Sequence, residues 1–393
     1  MCLVPRGVFS PWSSCPLDRL VPLIVLHSKD LADCNKRPIT KDFEMSDNQP
    51  SFAPLRFGIL GAANIAREFM DGVKHSPLVT VQGVASRDGA KAADFAKTYG
   101  IRDHYAGYEA LLADPTIEAV YIPLPNDLHA EWAIKAARAG KHILCEKPLA
   151  VGLSDVRAMF EAAHAAGVKL AEAYPYMAQP QTIAMNGLLA DQAIGKIQTV
   201  SAAFGFGIVA PDGTPIANPA NIRLQPDRAG GGLLDAGTYA VSLVRLAAGE
   251  RPVRVIASGH FTKTGVDQTV VALLEFPSGA LGQISCSLSA SFHRKALIVG
   301  SNGVIESDYS NHAPADGRLH LNIKRGVPKT IGFETTTLDA GDGFKLEAES
   351  FATWVRTGQG WTGATEAVSL DVAATLEAIA KSLKSGRYET VAQ

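Results

Sequence analysis

The stretch RFGILGAANIA, residues 56–66, joins an apolar run to a turn of small residues and opens a helical pattern that reaches about residue 75. This order of features predicts a β-strand that leads through a tight turn into an α-helix. Gly61 provides the tight turn, but Ala63 and Ala66 stand where a dinucleotide-binding turn usually carries its other two glycines. The turn suits a nucleotide pyrophosphate and equally a tight connection in another α/β fold; its position as the first such turn favours the nucleotide.

The same alternation continues along the chain as far as residue 173. Further strands are predicted at residues 79–86, 118–124, 141–145 and 168–173, and helices at residues 88–98, 126–138 and 154–166. Alternating strands and helices predict a parallel sheet with right-handed crossovers. The predicted fold class is therefore α/β, with an N-terminal domain over residues 51–173.

Strands dominate after residue 174. A strand at 197–206 and a glycine-rich start of a helix at 230–248 precede four apolar runs, which are VRVIASGHF, TVVALLEF, ALGQISCSLS and KALIVG. Pro277-Ser278-Gly279 predicts a hairpin turn, and helices at 344–356 and 364–385 close the chain. Residues 174–393 are predicted to form an α+β domain whose mostly antiparallel sheet has one open face.

Composition excludes several classes of partner. The 37 Lys and Arg against 39 Asp and Glu give a formal net charge of -2, so no overall field attracts nucleic acid or anionic lipid. No apolar run approaches the roughly 18 residues of a membrane crossing. Because only Cys145 and Cys286 lie beyond the first forty residues, we expect no disulfide framework and a reducing, cytoplasmic location. The histidines show no HExxH or His/Cys cluster, so no metal is expected.

Residues 1–50 show no sustained period and are predicted to be a disordered extension. The best targeting candidate is LVPLIVL at residues 20–26, but Pro22 interrupts it, Asp18 precedes it and no small-residue cleavage site follows. Met45 offers an alternative start just ahead of the first strand.

A cofactor-selecting segment follows the second predicted strand. The chain reads Ser86-Arg87-Asp88, with Lys91 one turn later. A hydroxyl and a guanidinium suit the 2′-phosphate of NADP, because arginine offers planar, charge-assisted hydrogen bonds. The alternative is that Ser86 caps the helix and Arg87 is solvated.

Two further segments carry titratable side chains, Glu146-Lys147-Pro148 and the span from Asp235 to Tyr239. Ligands of an open parallel sheet lie beyond the carboxyl ends of its strands. Lys147 directly follows such a strand and is therefore expected near the ligand; the alternative is that Lys147 forms an ion pair at the surface. Helical spacing puts Asp235 and Tyr239 on one face. Tyr239 can transfer protons if a cation such as Lys147 lowers its pKa from about 10; otherwise it is a core tyrosine.

In this order GILGAANIA, PNDLHAEWAIKAARAGKHILCEKPLA, EAYPY and GGGLLDAGTY resemble the glucose-fructose oxidoreductase, inositol dehydrogenase and MocA (Gfo/Idh/MocA) family. The likeness spans residue 55 to the C-terminus, and residues 126–148 are its most specific part. NIRLQPDRAGGGLLDAGTY resembles the branch of NADP-linked aldose dehydrogenases and glucose-fructose oxidoreductase. The resemblance implies an NADP-binding Rossmann domain at 51–173 and a substrate-binding, oligomerising domain at 174–393.

Together with the residue-level reasoning, the resemblance assigns expected roles. Lys147, Asp235 and Tyr239 are the expected catalytic residues, with Tyr239 as the acid/base. The expected cofactor-binding residues are Gly61, Ala62, Ala63, Asn64, Ile65, Ser86, Arg87, Lys91, Pro123, Asn126, His129, Glu146 and Lys147. The expected substrate-binding residues are Lys147, Tyr176, Gln179, Arg223, Asp235 and Tyr239, although a loop salt bridge is an equal alternative for Arg223. The Lys147-Pro148 peptide is expected to be cis.

One segment departs from the family pattern. Relatives of the sugar branch usually read aromatic-Arg-x-His-Pro-Gln, whereas Met177 and Gln179 replace the arginine and the histidine here. Two polar contacts of the pocket wall are thereby lost, which affects the choice of substrate and not the hydride chemistry.

The resemblance implies an oxidoreductase that moves a hydride between C1 of an aldose of the glucose or xylose type and NADP, giving an aldonolactone. NADP either exchanges freely or stays bound while a second sugar is reduced to an alditol. The alternatives are a dihydrodiol or carbonyl oxidoreductase, an NAD-using glycoside-cleaving enzyme, and a non-catalytic NADP-binding regulator, for which a broken catalytic set would be expected. The open sheet predicts a homodimer.

Overall fold

The structure is a computed structural model that describes residues 52–218 and 220–393. The predictions for the N-terminal extension, its targeting candidate and Met45 lie outside the described residues. The α-helices are α1 (Asn64–Val73), α2 (Gly89–Tyr99), α3 (Tyr108–Leu112), α4 (His129–Arg138), α5 (Leu153–Ala166), α6 (Pro180–Ala190), α7 (Thr238–Ala248), α8 (Gly343–Thr357) and α9 (Glu366–Ser385). Within the described part of the chain, no helix is both long and apolar enough to cross a bilayer.

The strands fall into two sheets. The first contains β1 (Leu55–Leu60), β2 (Val79–Ser86), β3 (Asp103–Ala106), β4 (Ala119–Ile122), β5 (His142–Glu146) and β6 (Leu170–Ala173). The second contains β7 (Ile197–Gly207), β8 (Arg254–Phe261), β9 (Asp267–Glu275), β10 (Leu281–Ser287), β11 (Ser289–Gly300), β12 (Gly303–Ser307), β13 (Arg318–Arg325), β14 (Glu334–Asp339) and β15 (Glu389–Thr390).

The first sheet has the order β3-β2-β1-β4-β5-β6, and every neighbouring pair is parallel. The predicted parallel sheet is confirmed. Leu55, Phe57 and Ile59 of β1 are fully buried, since helices cover both faces of the sheet. From β1 the chain adds β2 and β3 on one side of the sheet, and from β4 it adds β5 and β6 on the other side. A crevice therefore opens at the carboxyl ends of β1 and β4.

The second sheet has the order β14-β13-β12-β11-β7-β10-β9-β8-β15 and is antiparallel except between β7 and β10. The predicted mostly antiparallel sheet is confirmed, as is the β9-β10 hairpin turn, in which Phe276 and Ala280 are hydrogen-bonded. On β9, Val270, Ala272 and Leu274 are buried while the residues between them are not. Helices α7 and α9 pack against the sheet from the buried side.

Candidate active site

A cavity of about 670 Å³ lies between the carboxyl ends of the first sheet and the second sheet. Many residues with predicted site roles meet in its lining. They are Ala63, Asn64, Ile65, Pro123, Asn126, Glu146, Lys147, Arg223, Asp235 and Tyr239. The sequence positions of these residues span the chain from α1 to α7, so the fold alone brings them together.

The turn between β1 and α1 fits a nucleotide pyrophosphate. Gly61 has φ +125°, which favours glycine, and a Cβ at this position would lie 3.0 Å from Leu124 Cδ2. Ala63 caps α1 without any side-chain hydrogen bond, and the first turn of the helix holds no acidic residue. The first N–H groups of α1 therefore lack side-chain acceptors beside the cavity, as an anion site at a helix N-terminus requires.

The end of β2 presents cations and no carboxylate aimed at the crevice. The Asp88 carboxylate accepts hydrogen bonds from the N–H groups of Ala90 and Lys91 at 3.0 and 3.3 Å and so caps α2. Ser86 Oγ accepts the N–H of Asp88 at 3.2 Å. The helix cap considered for Ser86 thus belongs to Asp88, while the side chains of Arg87 and Lys91 are exposed.

Glu146 is held at the end of β5. Tyr121 Oη donates to Glu146 Oε1 at 2.6 Å, and the N–H of Lys147 donates to Oε2 at 3.2 Å. Burial raises the pKa of Glu146, and Lys147 and Tyr121 offset this only in part. The next peptide, Lys147-Pro148, is cis, which confirms the prediction. Glu146 therefore lines the cavity in a fixed orientation.

His129 is not among the residues that line the cavity, and its expected place beside the cofactor stays a prediction. Its ring is fully buried and lies 2.8 Å from both the Pro148 and the Leu124 carbonyl oxygens. Burial lowers the pKa of His129, and the hydrogen bonds to the two carbonyl oxygens offset this only in part. The histidine links the segments that follow β4 and β5 and so fixes the cavity wall from behind. Asn126 lines the cavity and donates through Nδ2 to the Ala229 carbonyl at 3.0 Å.

Asp235 is the centre of the charged network. Lys147 Nζ donates to Asp235 Oδ1 at 3.1 Å and to its carbonyl oxygen at 3.2 Å, and Arg223 Nε donates to Oδ2 at 2.6 Å. Although burial raises the pKa of Asp235, Lys147 and Arg223 lower it well below the ordinary value. The carboxylate is therefore anionic between two cations. Arg223 forms the salt bridge considered for it and also lines the cavity.

The glycine-rich segment ahead of Asp235 packs closely against Asp267 of β9. Gly231 has φ +114°, and a Cβ at this position would overlap the Asp267 carboxylate. Leu233–Gly237 forms a π-helical turn ahead of α7, so Asp235 and Tyr239 do not share one continuous α-helix. Both side chains nevertheless line the cavity, as the four-residue spacing predicted.

Tyr239 is buried, with 5% of its surface exposed. Lys147 Nζ lies 4.9 Å from its ring centroid, and Asn311 Nδ2 donates to its hydroxyl oxygen at 2.9 Å. Burial raises the pKa of Tyr239 above the ordinary value, and Lys147 and Arg294 lower it only in part. Lys147 thus lowers the pKa of Tyr239 as predicted, but burial outweighs this effect and the pKa lies above the ordinary value.

Tyr176 and Gln179 are not among the residues that line the cavity, and their expected contact with substrate stays a prediction. Both are fully buried. The Tyr176 hydroxyl bonds to Ser242 Oγ at 2.9 Å, and Gln179 Nε2 donates to the carbonyl oxygens of Gly341 and Asn311 at 2.8 and 3.3 Å. Their polar atoms are thus used within the fold.

Arg294 and Asn311 line the cavity and were missed by the sequence analysis. The predicted strand KALIVG began one residue after Arg294, whereas β11 begins at Ser289. Arg294 has the same parity along β11 as the buried residues Ala296 and Ile298. Extending the alternation of inward and outward side chains back by two residues from Ala296 would have predicted that the side chain of Arg294 points inward. Asn311 lies in a loop after β12 and carried no such signal.

Profiles of two protein domains match the chain. The profile described as an oxidoreductase family with an NAD-binding Rossmann fold matches residues 55–174. The profile of the GFO/IDH/MocA C-terminal domain matches residues 182–306.

Relatives match over most of their length. The chain is 36% identical over 343 residues to D-xylose 1-dehydrogenase (NADP(+)) 2 of Haloferax volcanii, covering 84% of this chain and 98% of that one. It is 35% identical over 281 residues to trans-1,2-dihydrobenzene-1,2-diol dehydrogenase of Mus musculus, covering 71% and 81%. A 3-ketoreductase from Actinomadura kijaniata, solved with NADP and TDP-benzene, superposes with a TM-score of 0.73 at 30% identity, covering 84% and 98%. The chain therefore belongs to the Gfo/Idh/MocA family of oxidoreductases.

Proposed function

We propose that the protein is an NADP-dependent sugar oxidoreductase that transfers a hydride between C1 of an aldose of the glucose or xylose type and the nicotinamide, giving an aldonolactone. The observation that carries the proposal is the buried set of Lys147, Asp235 and Tyr239 beside the free N-terminus of α1. The xylose dehydrogenase relative supports both the sugar and NADP.

The chain's own residues divide the work. NADP, when bound, supplies the acceptor or donor of the hydride. The N-terminus of α1 holds the pyrophosphate, and Arg87 with Lys91 binds the 2′-phosphate. Asp235 and Arg223 bind sugar hydroxyls, because the carboxylate accepts and the guanidinium donates hydrogen bonds. Lys147 stays cationic, since burial lowers its pKa but Asp235, Tyr239 and Glu146 together more than compensate.

Tyr239 moves the proton. During oxidation the tyrosinate takes the proton of the C1 hydroxyl, and during reduction the phenol returns it. Because burial keeps the pKa of Tyr239 above its ordinary value, the phenol is the resting form near neutral pH. The structure thus favours the proton-donating form, and oxidation should accelerate as the pH rises through this pKa.

The test follows the near-ultraviolet band of reduced nicotinamide in the purified protein on adding glucose or xylose. A band that appears without added NADP and vanishes with a second carbonyl acceptor supports a cycle in which NADP stays bound and a second sugar becomes an alditol. A band that needs added NADP and accumulates supports an ordinary aldose dehydrogenase. No band with either sugar, with or without NADP, would contradict the aldose proposal.

Oxidation of a dihydrodiol, or reduction of another carbonyl, is a second candidate. Three phenylalanine side chains, Phe204, Phe206 and Phe344, line the cavity, and Met177 is buried where the sugar branch usually has arginine. The mouse relative is named a dihydrodiol dehydrogenase. Comparing kcat/KM for xylose, glucose and trans-dihydrobenzenediol separates the two, since a higher value for the diol would favour the second candidate.

Arg87→Ala should weaken NADP binding selectively. A charge-assisted hydrogen bond contributes about 1.5–3 kcal/mol, so we expect the Kd for NADP to rise about tenfold to a hundredfold while that for NAD stays within about twofold. Nucleotide titration measures both constants, and Lys97→Ala, an exposed lysine at the far end of α2, is the control. Equal weakening of NADP and NAD would show that Arg87 does not read the 2′-phosphate.

We also propose that the open face of the second sheet forms a homodimer. Val271 is 40% exposed, Leu273 50% and Leu281 53%. Such adjacent apolar side chains are typical of an interface. We expect the wild-type protein to sediment as a dimer and the double variant Leu273→Glu, Leu281→Glu to sediment as a folded monomer. Val327→Glu, at a residue 73% exposed elsewhere, is the control. A double variant that remains dimeric would place the interface on another surface.

A further inference from the structure

We propose that Arg294 and Asn311 are positioning residues that prepare Tyr239 for proton transfer, Asn311 through the phenol oxygen and Arg294 through the face of the ring. The inference rests on the proposed role of Tyr239 as acid/base and adds two residues that the second sheet and its loop contribute.

Asn311 orients the phenol. Its Nδ2 donates to Tyr239 Oη at 2.9 Å, and only 5% of the asparagine is exposed. The backbone of Asn311 is itself fixed, since its carbonyl oxygen accepts hydrogen bonds from both Gln179 Nε2 and the N–H of Gly343. With one lone pair occupied by this donor, the O–H of Tyr239 is left for another acceptor. A donor to the oxygen also stabilises the tyrosinate over the phenol.

Arg294 supplies a charge that no carboxylate of residues 52–218 or 220–393 neutralises. Its guanidinium carbon lies 4.4 Å from the Tyr239 ring centroid and 4.0 Å from that of Phe204. Nε and Nη1 are buried and have no hydrogen-bond partner among the described residues. The two rings hold the cation through their negative faces. A positive charge without a counterion acts on a neighbouring ionisable group without the cancellation that a paired charge undergoes.

The other charged groups around Tyr239 are already paired. Lys147 and Arg223 share the single carboxylate of Asp235, so their combined effect is partly cancelled. Glu146 opposes ionisation of the phenol. Other titratable neighbours of Tyr239 among the described residues are the phenols of Tyr121, Tyr174, Tyr176 and Tyr309. Arg294 is thus the one cation on Tyr239 without a carboxylate partner among the residues described, and it lowers the pKa of Tyr239 together with Lys147, against burial.

The test is the pH profile of kcat/KM for sugar oxidation in the holoenzyme. Oxidation needs the tyrosinate, so the rate rises with pH through the pKa of Tyr239. Removing a cation raises that pKa. Arg294→Met should therefore shift the rising limb of the profile, the pH range in which kcat/KM increases, to higher pH by about one unit. Arg294→Lys should move it less, because the charge is kept. Asn311→Ala should move it in the same direction. Arg325→Met, at the end of β13 where the arginine pairs with Glu334, is the control and should leave the profile unchanged.

A merely structural role gives a different result. If Arg294 and Asn311 only stabilise the cavity wall, all three variants lose rate with the limb in place, and the proposal is overturned. Tyrosinate absorbance offers a readout that needs no turnover, since the difference between the wild type and Tyr239→Phe isolates this one phenol among the 9 tyrosines. The isolated component should titrate at higher pH in the Arg294→Met background. If Arg294→Met fails to fold, Arg294→Lys and Asn311→Ala carry the same test.

The two proposals fail separately. Turnover by Tyr239→Phe near the wild-type rate overturns the role of Tyr239 and, with it, the proposed mechanism. An inactive Tyr239→Phe with unmoved limbs in the Arg294 and Asn311 variants overturns only the inference about positioning.

Discussion

Tyr239→Phe is expected to lower kcat for aldose oxidation by about 10²- to 10⁴-fold, the usual contribution of a positioned acid/base group. The substitution removes one oxygen from a buried ring that keeps its contacts with Phe204 and Tyr174. Asn311 Nδ2 loses its acceptor, but the ring itself continues to fill the same volume. Folding and NADP binding should therefore persist while the proton has no acceptor. Steady-state kinetics with saturating sugar and NADP measures the loss.

Tyr176→Phe is the matched control, because this phenol is as buried but bonds to Ser242 instead of facing the cavity. We expect its kcat to stay within about threefold of the wild-type value, since one neutral hydrogen bond contributes only about 1 kcal/mol. A loss in Tyr176→Phe as large as in Tyr239→Phe would show that the buried phenols act as a structural unit. Full activity in both variants would remove the phenol from the reaction.

The sequence predicted those parts of the fold whose pattern is set by local burial. β1, β4 and β5 are continuous apolar runs because helices cover both of their faces. β3, the four-residue edge strand DHYA, was not predicted, because its residues are only partly buried and form no apolar run. β13 was also not predicted, although polar and apolar residues alternate in RLHLNIKR and Leu319, Leu321 and Ile323 are buried. Its long polar residues masked a period that the sequence does contain.

The meeting of Lys147, Asp235 and Tyr239 in one cavity was predictable, because chemistry and position agreed at these residues. The site was not predictable where the direction of a side chain decided the outcome. Gln179 follows the last strand of the parallel sheet, as a ligand residue would, yet its amide turns into the fold toward Gly341 and Asn311. Only tertiary packing settles such a direction. Arg294 shows the reverse case, since a residue on a strand with no motif around it lines the cavity.

Lys147→Met should lower kcat/KM for sugar by about 10²- to 10³-fold, the size of effect expected when one fixed donor to a developing negative charge is lost. Methionine is close to lysine in length and shape but carries no charge. The variant leaves Asp235 with Arg223 as its only ion-pair partner within the described part of the chain and removes the cation that lies 4.9 Å from the Tyr239 ring. Lys147→Arg is the charge-keeping control and should recover part of the loss, because its planar fork cannot reproduce both bonds of Nζ to Asp235.

A double-mutant cycle with Asp235→Asn shows whether Lys147 acts through the carboxylate or on the reacting oxygen directly. If the lysine served only to hold Asp235, the double variant would be no slower than Lys147→Met, since the partner would already be lost. We expect instead that the two losses nearly multiply, because Arg223 continues to orient Asp235 at 2.6 Å when Lys147 is gone. In that case Asp235→Asn raises the KM for sugar, whereas Lys147→Met lowers kcat. A double variant equal to Lys147→Met in both constants would show that the ion pair is the functional unit and that the lysine has no separate role in the proton transfer.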